Sequence, residues 1–378
     1  KVEPNEITVE RPYIENNIKY TRMGFDLEKV EENEFPASEK ISRQMVQNNQ
    51  NLFSNVRLWD YRALDAVFKQ FQEIRLYYEF SDVDIDRYHI DGNYREVMIS
   101  AREMKVNNLP PNSQTFVNKR FKYTHGYGAV LTKVNEFTSE GLPNLMIRDI
   151  PPVTEYASLE IDQPEIYYGE LTESHVIVNS EEEEFDYPSG ENNIYTSYKG
   201  SGGVQISNFW RKFLYGWKFD GTRLLLSGYP NTESRIMMHR DIKDRVNTLA
   251  PFLFYDDDPY VVLANGELFW IIDAYTTTSK FPYSEPFSSV EQQEVQQLDY
   301  DRSMHQRVKS HLRSKNYIRN SVKVVVNAYS GETNFYIYET DDPLIQVYQN
   351  IFPALFKKKS AMPGELQKHV RYPIDMLL

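Results

Sequence analysis

The sequence predicts an α+β fold, with mixed, mainly antiparallel sheets built from hairpins and several packed helices. Three observations carry this reading. Short runs of strand-forming residues flank tight-turn dipeptides at Asp91-Gly92, Asn265-Gly266 and Ser330-Gly331. Segments with helical period stand apart from these hairpins along the chain. Apolar residues make up 40% and aromatic residues 14%, with 28 Tyr and 21 Phe, which is enough for a substantial core.

Taken in order, residues 1–55 are polar and mixed, with no clean period. Asp60 is the expected N-cap of an amphipathic helix carrying Leu64, Val67, Phe68, Phe71 and Ile74. From Asp82 to Ser100 the period becomes two, around Asp91-Gly92. Short strands are expected at Ile166–Tyr168 and Val176–Val178. Glu181-Glu182-Glu183-Glu184 reads as a solvated loop, and Gly200-Ser201-Gly202-Gly203 as a flexible one. Phe209, Phe213, Leu214 and Trp217 predict another amphipathic helix. Thr232 is the expected cap of a third, carrying Ile236, Met237, Ile242 and Val246. Val261–Ile272 is the clearest hairpin, and Val322–Tyr329 with Asn334–Tyr338 forms another. Residues 284–314 read as a polar loop or surface helix, and a helix over Leu344–Phe352 follows Pro343.

At about 150 residues per domain, 378 residues make two to three domains. The expected division is 1–150 and 151–283 as two α+β subdomains, 284–314 as a polar connection, and 315–378 as a C-terminal hairpin with helices. One continuous domain is the alternative. A net charge of −13 repels phosphate backbones, so no nucleic-acid partner is expected. The same charge argues against docking on anionic lipid by charge alone. The absence of Cys excludes disulfides, thiol nucleophiles and Cys-ligated metals. No apolar run approaches the ~20 residues of a membrane-spanning helix. Both ends read as cut, so an excised part of a longer protein is expected.

Candidate chemistry centres on carboxylates. Asp82, Asp84 and Asp86 lie at period two, so on a strand all three share one face. A buried row needs cations, either arginines or a hard ion such as Ca²⁺. Asp256-Asp257-Asp258 is a second cluster, read either as a capped turn or, through Asp256 and Asp258, as further Ca²⁺ ligands. His125 and Tyr127, in Thr124-His125-Gly126-Tyr127-Gly128, are candidates for a pocket framed by glycines. There is no Gly-x-Ser-x-Gly elbow and no His-Glu-x-x-His.

Several stretches in one order carry a resemblance. They include Glu15-Asn16-Asn17-Ile18, Arg57-Leu58-Trp59-Asp60, Asp82-Val83-Asp84-Ile85-Asp86-Arg87-Tyr88 and Tyr123-Thr124-His125-Gly126-Tyr127-Gly128. Further on are Tyr168-Gly169-Glu170-Leu171, Phe185-Asp186-Tyr187-Pro188, Ala250-Pro251-Phe252-Leu253 and Trp270-Ile271-Ile272-Asp273-Ala274-Tyr275. Asn316-Tyr317-Ile318-Arg319-Asn320-Ser321, Ile351-Phe352-Pro353 and His369-Val370-Arg371-Tyr372-Pro373 complete the set. Together they resemble uncharacterised protein family 0182, a group of prokaryotic integral membrane proteins.

The resemblance implies a multi-pass membrane region followed by a large extracytoplasmic domain, of which this chain would be most. It implies a location at the cell membrane, with the membrane-spanning part of the same protein as partner. Other envelope proteins, or a second copy, are further expected partners. It brings no established activity, so no catalytic residue is carried over. The expected function is a non-enzymatic module for ligand or partner binding and assembly, organised by Ca²⁺. The alternative is a cell-envelope hydrolase or transferase acting on glycans or lipid-linked substrates through these carboxylates, with His125.

Overall fold

The computed structural model describes residues 6–34, 41–190, 192–287, 312, 314–373 and 376. Two antiparallel-dominated sheets and several helices build the α+β architecture that the hairpin signals predict.

The first element is α1 (Glu6–Gly24), followed by short helices at Arg43–Asn48 and Gln50–Phe53. No helix was expected over 1–55. Ile7, Tyr13 and Ile18 of α1 are exposed, so burial imposed no apolar stripe for a periodicity argument to find. The C-terminal end of α1 is what holds it. Arg319 donates to Gly24 O at 2.8 Å, and Tyr20 packs on Phe281 and Tyr283. Then comes α2 (Tyr61–Gln72), whose first turn is capped as expected, Asp60 Oδ1 accepting from Arg62 N at 2.9 Å. It buries Leu64 and Phe68 but leaves Phe71 and Ile74 exposed. Gln72 is buried instead, because its carbonyl and amide oxygens both accept from the buried Arg102 guanidinium.

The first sheet contains β1 (Tyr78–Phe80), β2 (Asp84–Ile90), β3 (Asn93–Met104), β4 (Ala129–Phe137), β5 (Pro143–Arg148) and β6 (Val153–Thr154). Its order is β1-β3-β4-β5-β6, with β2 also paired to β3. Asp91 and Gly92 turn the β2–β3 hairpin, both at positive φ, +50° and +77°.

The second sheet contains β7 (Phe254–Tyr255), β8 (Tyr260–Ala264), β9 (Glu267–Thr278), β10 (Tyr317–Asn327), β11 (Thr333–Ile337) and β12 (Phe356–Lys358). Its order is β7-β9-β10-β11-β12, with β8 also on β9 and only β12 parallel to its neighbour. Asn265 and Gly266, at φ +51° and +76°, turn β8 into β9 as the dipeptide predicts.

The largest core contains Tyr88, Ile99 and Leu131 from the first sheet with Leu263, Trp270, Val324 and Phe335 from the second. One core thus runs across positions 150 and 283. The two sheets also bond directly. Val261 N and Leu263 N, on the edge strand β8, donate to Asp84 Oδ2 and Tyr88 Oη, both at 2.9 Å. Side chains of β2 therefore satisfy edge amides that would otherwise be buried without partners.

Three local expectations fail for tertiary reasons. Glu184 is not in a solvated loop. It is 1% exposed and accepts from the Thr124 and Tyr167 hydroxyls at 2.7 and 2.8 Å and from Tyr198 N at 3.0 Å. Gly200–Gly203 is held rather than free: Arg235 donates to the carbonyls of Ser201, Gly202 and Gly203. Ile236 and Met237 belong to a short strand, Arg235–Met237. The following helix, α4 (Ile242–Leu249), has Asp241, not Thr232, as N-cap. Before it, the amphipathic segment forms α3 (Phe209–Tyr215), and near the C-terminus α5 (Pro343–Ile351) follows Asp342 as its cap. Most of the stretch 284–314 lies outside the described residues.

Candidate functional site

The aspartates singled out in the sequence meet at the junction of the two sheets. Asp84 and Asp86 share the inner face of β2 and are each 4% exposed, whereas Asp82 precedes the strand. Their side-chain partners come from the C-terminal segment rather than from Arg87 or Arg95. Arg371 Nη2 lies 3.5 Å from Asp84 Oδ1 and 3.3 Å from Asp258 Oδ2. Its guanidinium also stacks on Tyr260, 3.9 Å from the ring centre. His369 Nδ1 lies 2.7 Å from Asp86 Oδ2.

Asp82 and Asp258, from the two separate clusters, lie close enough that each carboxyl perturbs the other. Burial pushes Asp82 up to about 6, and Glu170 adds to it. Burial pushes Asp258 up to about 6 as well, with Asp82 adding. Asp84 is driven well above the carboxylate range by burial and then by Asp82. Ser81 Oγ bonds both Asp82 and Glu170, and Lys243 Nζ pairs with Glu170 Oε1 at 3.2 Å. Asp256 faces elsewhere. It accepts from Tyr275 Oη at 2.6 Å and from Asp258 N at 3.0 Å, and burial raises it to about 6. Among the described residues no three His, Asp or Glu side chains are grouped so as to hold a metal ion.

His125 is enclosed by its neighbours. It is 0% exposed, with Nδ1 2.9 Å from Thr124 Oγ1, Nε2 3.4 Å from Asp186 Oδ1, and its ring against Tyr167. Tyr127 is buried too, against Tyr187. The glycines beside them serve close packing: a Cβ on Gly126 would come within 2.4 Å of Arg102 O.

A cleft lies elsewhere, between the start of α4, the π-helical turn Gly216–Asp220, the turn Asn118–Lys122 and the loop carrying Glu173–His175. Its cavity is about 640 Å³, lined by residues including Arg120, His175, Lys218, His239 and Asp244. His175 Nε2 lies 2.5 Å from Asp220 Oδ2, and Arg120 Nε lies 3.1 Å from Asp220 Oδ1. Burial raises the Asp220 carboxyl, but His175 and Arg120 outweigh it and the net shift is downward, so it stays ionised. Across the cavity, His239 Nδ1 lies 2.7 Å from Asp244 Oδ2. His239 sits at φ +48°, a left-handed conformation that costs a non-glycine residue about 1–3 kcal/mol and tends to persist at functional sites. Arg120, Glu173, Ser174 and Arg240 also line a smaller pocket of about 150 Å³, which adds Lys105 and Lys119.

Sequence reasoning missed this cleft. His175 and Asp220 are 45 residues apart, with no motif between them. The available signals were weak: Asp241 and Asp244 at N-cap spacing, and histidines at both edges of the 176–237 segment.

The comparisons with known proteins agree with one another. The model of the uncharacterised protein family UPF0182 matches residues 1–378. A UPF0182 protein of Pelotomaculum thermopropionicum is 46% identical over 375 residues, covering 99% of this chain and 38% of that protein. One from Trichodesmium erythraeum is 47% identical over 377 residues, with coverage of 99% and 40%. UPF0182 protein bll7333 of Bradyrhizobium diazoefficiens is 46% identical over 377 residues, with coverage of 100% and 38%. The chain therefore spans about two fifths of the length of these relatives. No solved structure matches it.

Proposed function

The chain belongs to the uncharacterised protein family UPF0182, and from that premise we propose that it is a ligand-binding module. Its ligand carries an anionic group and sits in the cleft between His175 and His239. The observation that supports this is that the 640 Å³ cavity shares Arg120 and Arg240 in its lining with a 150 Å³ pocket that adds Lys105 and Lys119. Lys119 Nζ meets only the amide oxygens of Gln114 and Asn107, at 3.0 and 3.4 Å, and Lys218 lies over the Phe219 ring. Neither ammonium has a carboxylate partner among the described residues, so both retain charge to offer a phosphate or carboxylate. For the whole protein, the reading keeps the resemblance's implication of a module on the extracytoplasmic face, beside its own membrane-spanning part.

The test is a thermal melt with inorganic phosphate, against chloride at matched ionic strength. A midpoint that climbs with phosphate, and climbs less in Lys119→Ala and Lys218→Ala, supports the site. Equal midpoints in phosphate and chloride would end the proposal.

A second reading, a hydrolase or transferase acting on glycans or lipid-linked substrates, is favoured by the His175–Asp220 contact of 2.5 Å. An ionised carboxylate that orients an imidazole is what a general base needs. Phosphate release from an aryl phosphate, abolished in His175→Ala but not in Lys218→Ala, would favour this reading over simple binding.

A further inference from the structure

The segment Asn208–Ser227 forms a helical hairpin: α3, one π-helical turn at Gly216–Asp220, and a short helix at Thr222–Leu226. One face is anchored. Leu224 is fully buried, and Tyr215 and Phe219 pack beside it against a cluster with Phe121, Ile177, Ile206 and Ile236. The other face is bare. Phe209 is 67% exposed, Trp210 71%, Leu214 61%, Trp217 80% and Leu226 85%. The rings of Phe209, Phe213 and Trp217 stack in series about one helical turn apart, which makes a continuous apolar ridge. A contiguous exposed patch of this kind marks an interaction surface.

The charge of the hairpin is opposite to that of the protein. The chain carries −13, yet Asn208–Ser227 holds four cations, Arg211, Lys212, Lys218 and Arg223, and one acid, Asp220. Asp220 is consumed by His175 and Arg120. None of the four cations makes an ion pair among the described residues: Arg211 and Lys212 donate to the carbonyls of Gln205 and Ser227. An acidic surface keeps anionic bilayers away everywhere except where a local basic, aromatic-rich element reverses the sign. Trp, Phe and Leu flanked by Arg and Lys are the side chains that settle at the boundary between headgroups and acyl chains.

We propose that the Asn208–Ser227 hairpin docks on a lipid bilayer carrying anionic headgroups. Trp210, Leu214, Trp217 and Leu226 enter the interface, and the four cations meet the headgroups. Lys218 and Phe219 of the same hairpin line the candidate cleft, so docking of the bare face brings the cleft close to the membrane surface. This goes beyond the ligand-site proposal and does not depend on it.

The chain supplies its own reporters. Of its four Trp, Trp270 is buried with its indole N–H on Tyr168 O, and Trp59 donates to Glu136 O. Emission that responds to vesicles therefore reports on Trp210 and Trp217. The 378-residue chain is mixed with vesicles of equal phosphatidylglycerol and phosphatidylcholine, and with pure phosphatidylcholine. The expected result is a shift of emission to shorter wavelength and co-sedimentation with the anionic vesicles, both weakened by salt. Trp210→Ala with Trp217→Ala should lower partitioning about 10-fold, with the melting midpoint unchanged because these rings face solvent. Arg211→Glu with Arg223→Glu should abolish the preference for anionic vesicles. Failure to sediment with either vesicle, or equal partitioning of the double Trp variant, would overturn the proposal. So would a wavelength shift that follows protein concentration without lipid, which would make a second copy the occupant.

Discussion

Asp86 Oδ2 and His369 Nδ1 lie 2.7 Å apart and both residues are buried, although 283 positions separate them. The residues next to His369 are tied down as well. Arg87 donates to Val370 O, Lys323 donates to Arg371 O at 3.1 Å, and Arg371 reaches Asp84 and Asp258. The segment His369–Arg371 thus straps the inner face of β2 to the second sheet.

Removing His369 leaves Asp86 buried without its partner. His369→Ala should destabilise the protein by about 3–5 kcal/mol, the usual cost of breaking a buried pair from one side. Adding Asp86→Asn to it should recover part of the loss. Urea unfolding of the parent, both single variants and the double variant reads the coupling. Additive losses would mean that the strap does not act through this contact.

Asp82 and Asp258 set a pH dependence. Both carboxyls are raised to about 6 in the folded protein, above their ordinary range near 4. The folded state then binds protons at these carboxyls more tightly than the unfolded chain does. The stability this contributes is fully present below about pH 4 and is lost as the pH rises through about 6. The melting midpoint should therefore fall between pH 5 and pH 8, and fall less in Asp82→Asn, which keeps a hydrogen bond and removes the repulsion. A parent and variant with parallel pH profiles would refute a role for this carboxyl pair.

Glu103 is fully buried and accepts from the amides of Glu170 and Leu171 at 3.0 and 2.9 Å. A Cβ on Gly169 would come within 2.1 Å of its Oε2. Gly169→Ala should push Glu103 off both amides, at about 1–3 kcal/mol for each one left unsatisfied. A large drop in the midpoint is expected by circular dichroism, whereas Gly228→Ala, beside open space and without a positive φ, should cost far less.

The Ca²⁺ expectation turns on what Asp82, Asp84, Asp86, Asp256 and Asp258 already hold. Arg371, His369 and Tyr275 occupy them, so a cation gains little in the parent. EDTA should leave the parent's midpoint in place. Arg371→Ala strips the compensation from Asp84 and Asp258, and Ca²⁺ should then raise the midpoint of that variant. A parent that responds to EDTA would reinstate the ion.

The turns were legible because their cause is local. Asp91-Gly92 and Asn265-Gly266 adopt the positive φ values that few other residue pairs tolerate, whatever surrounds them. Asp60 could be read as a cap for the same reason. Period two correctly put Asp84 and Asp86 on one face of a strand. The pattern did not say that the face was inward, since a carboxylate row looks solvated until its partners are known. Glu184 misled in the same way, as one of four glutamates and the one that became buried.

What the sequence determined by itself is the class of fold, the hairpin registers set by their turns, and the chemical character of each strand face. The tertiary structure alone decided which carboxyls crowd together, which side chains compensate them, and that His175 and His239 line one cleft. Backbone preference and side-chain period are properties of a few neighbouring residues and survive in the one-dimensional record. Burial and electrostatic pairing depend on what packing brings within a few ångströms, and for these groups the partners lie as far as 287 positions away.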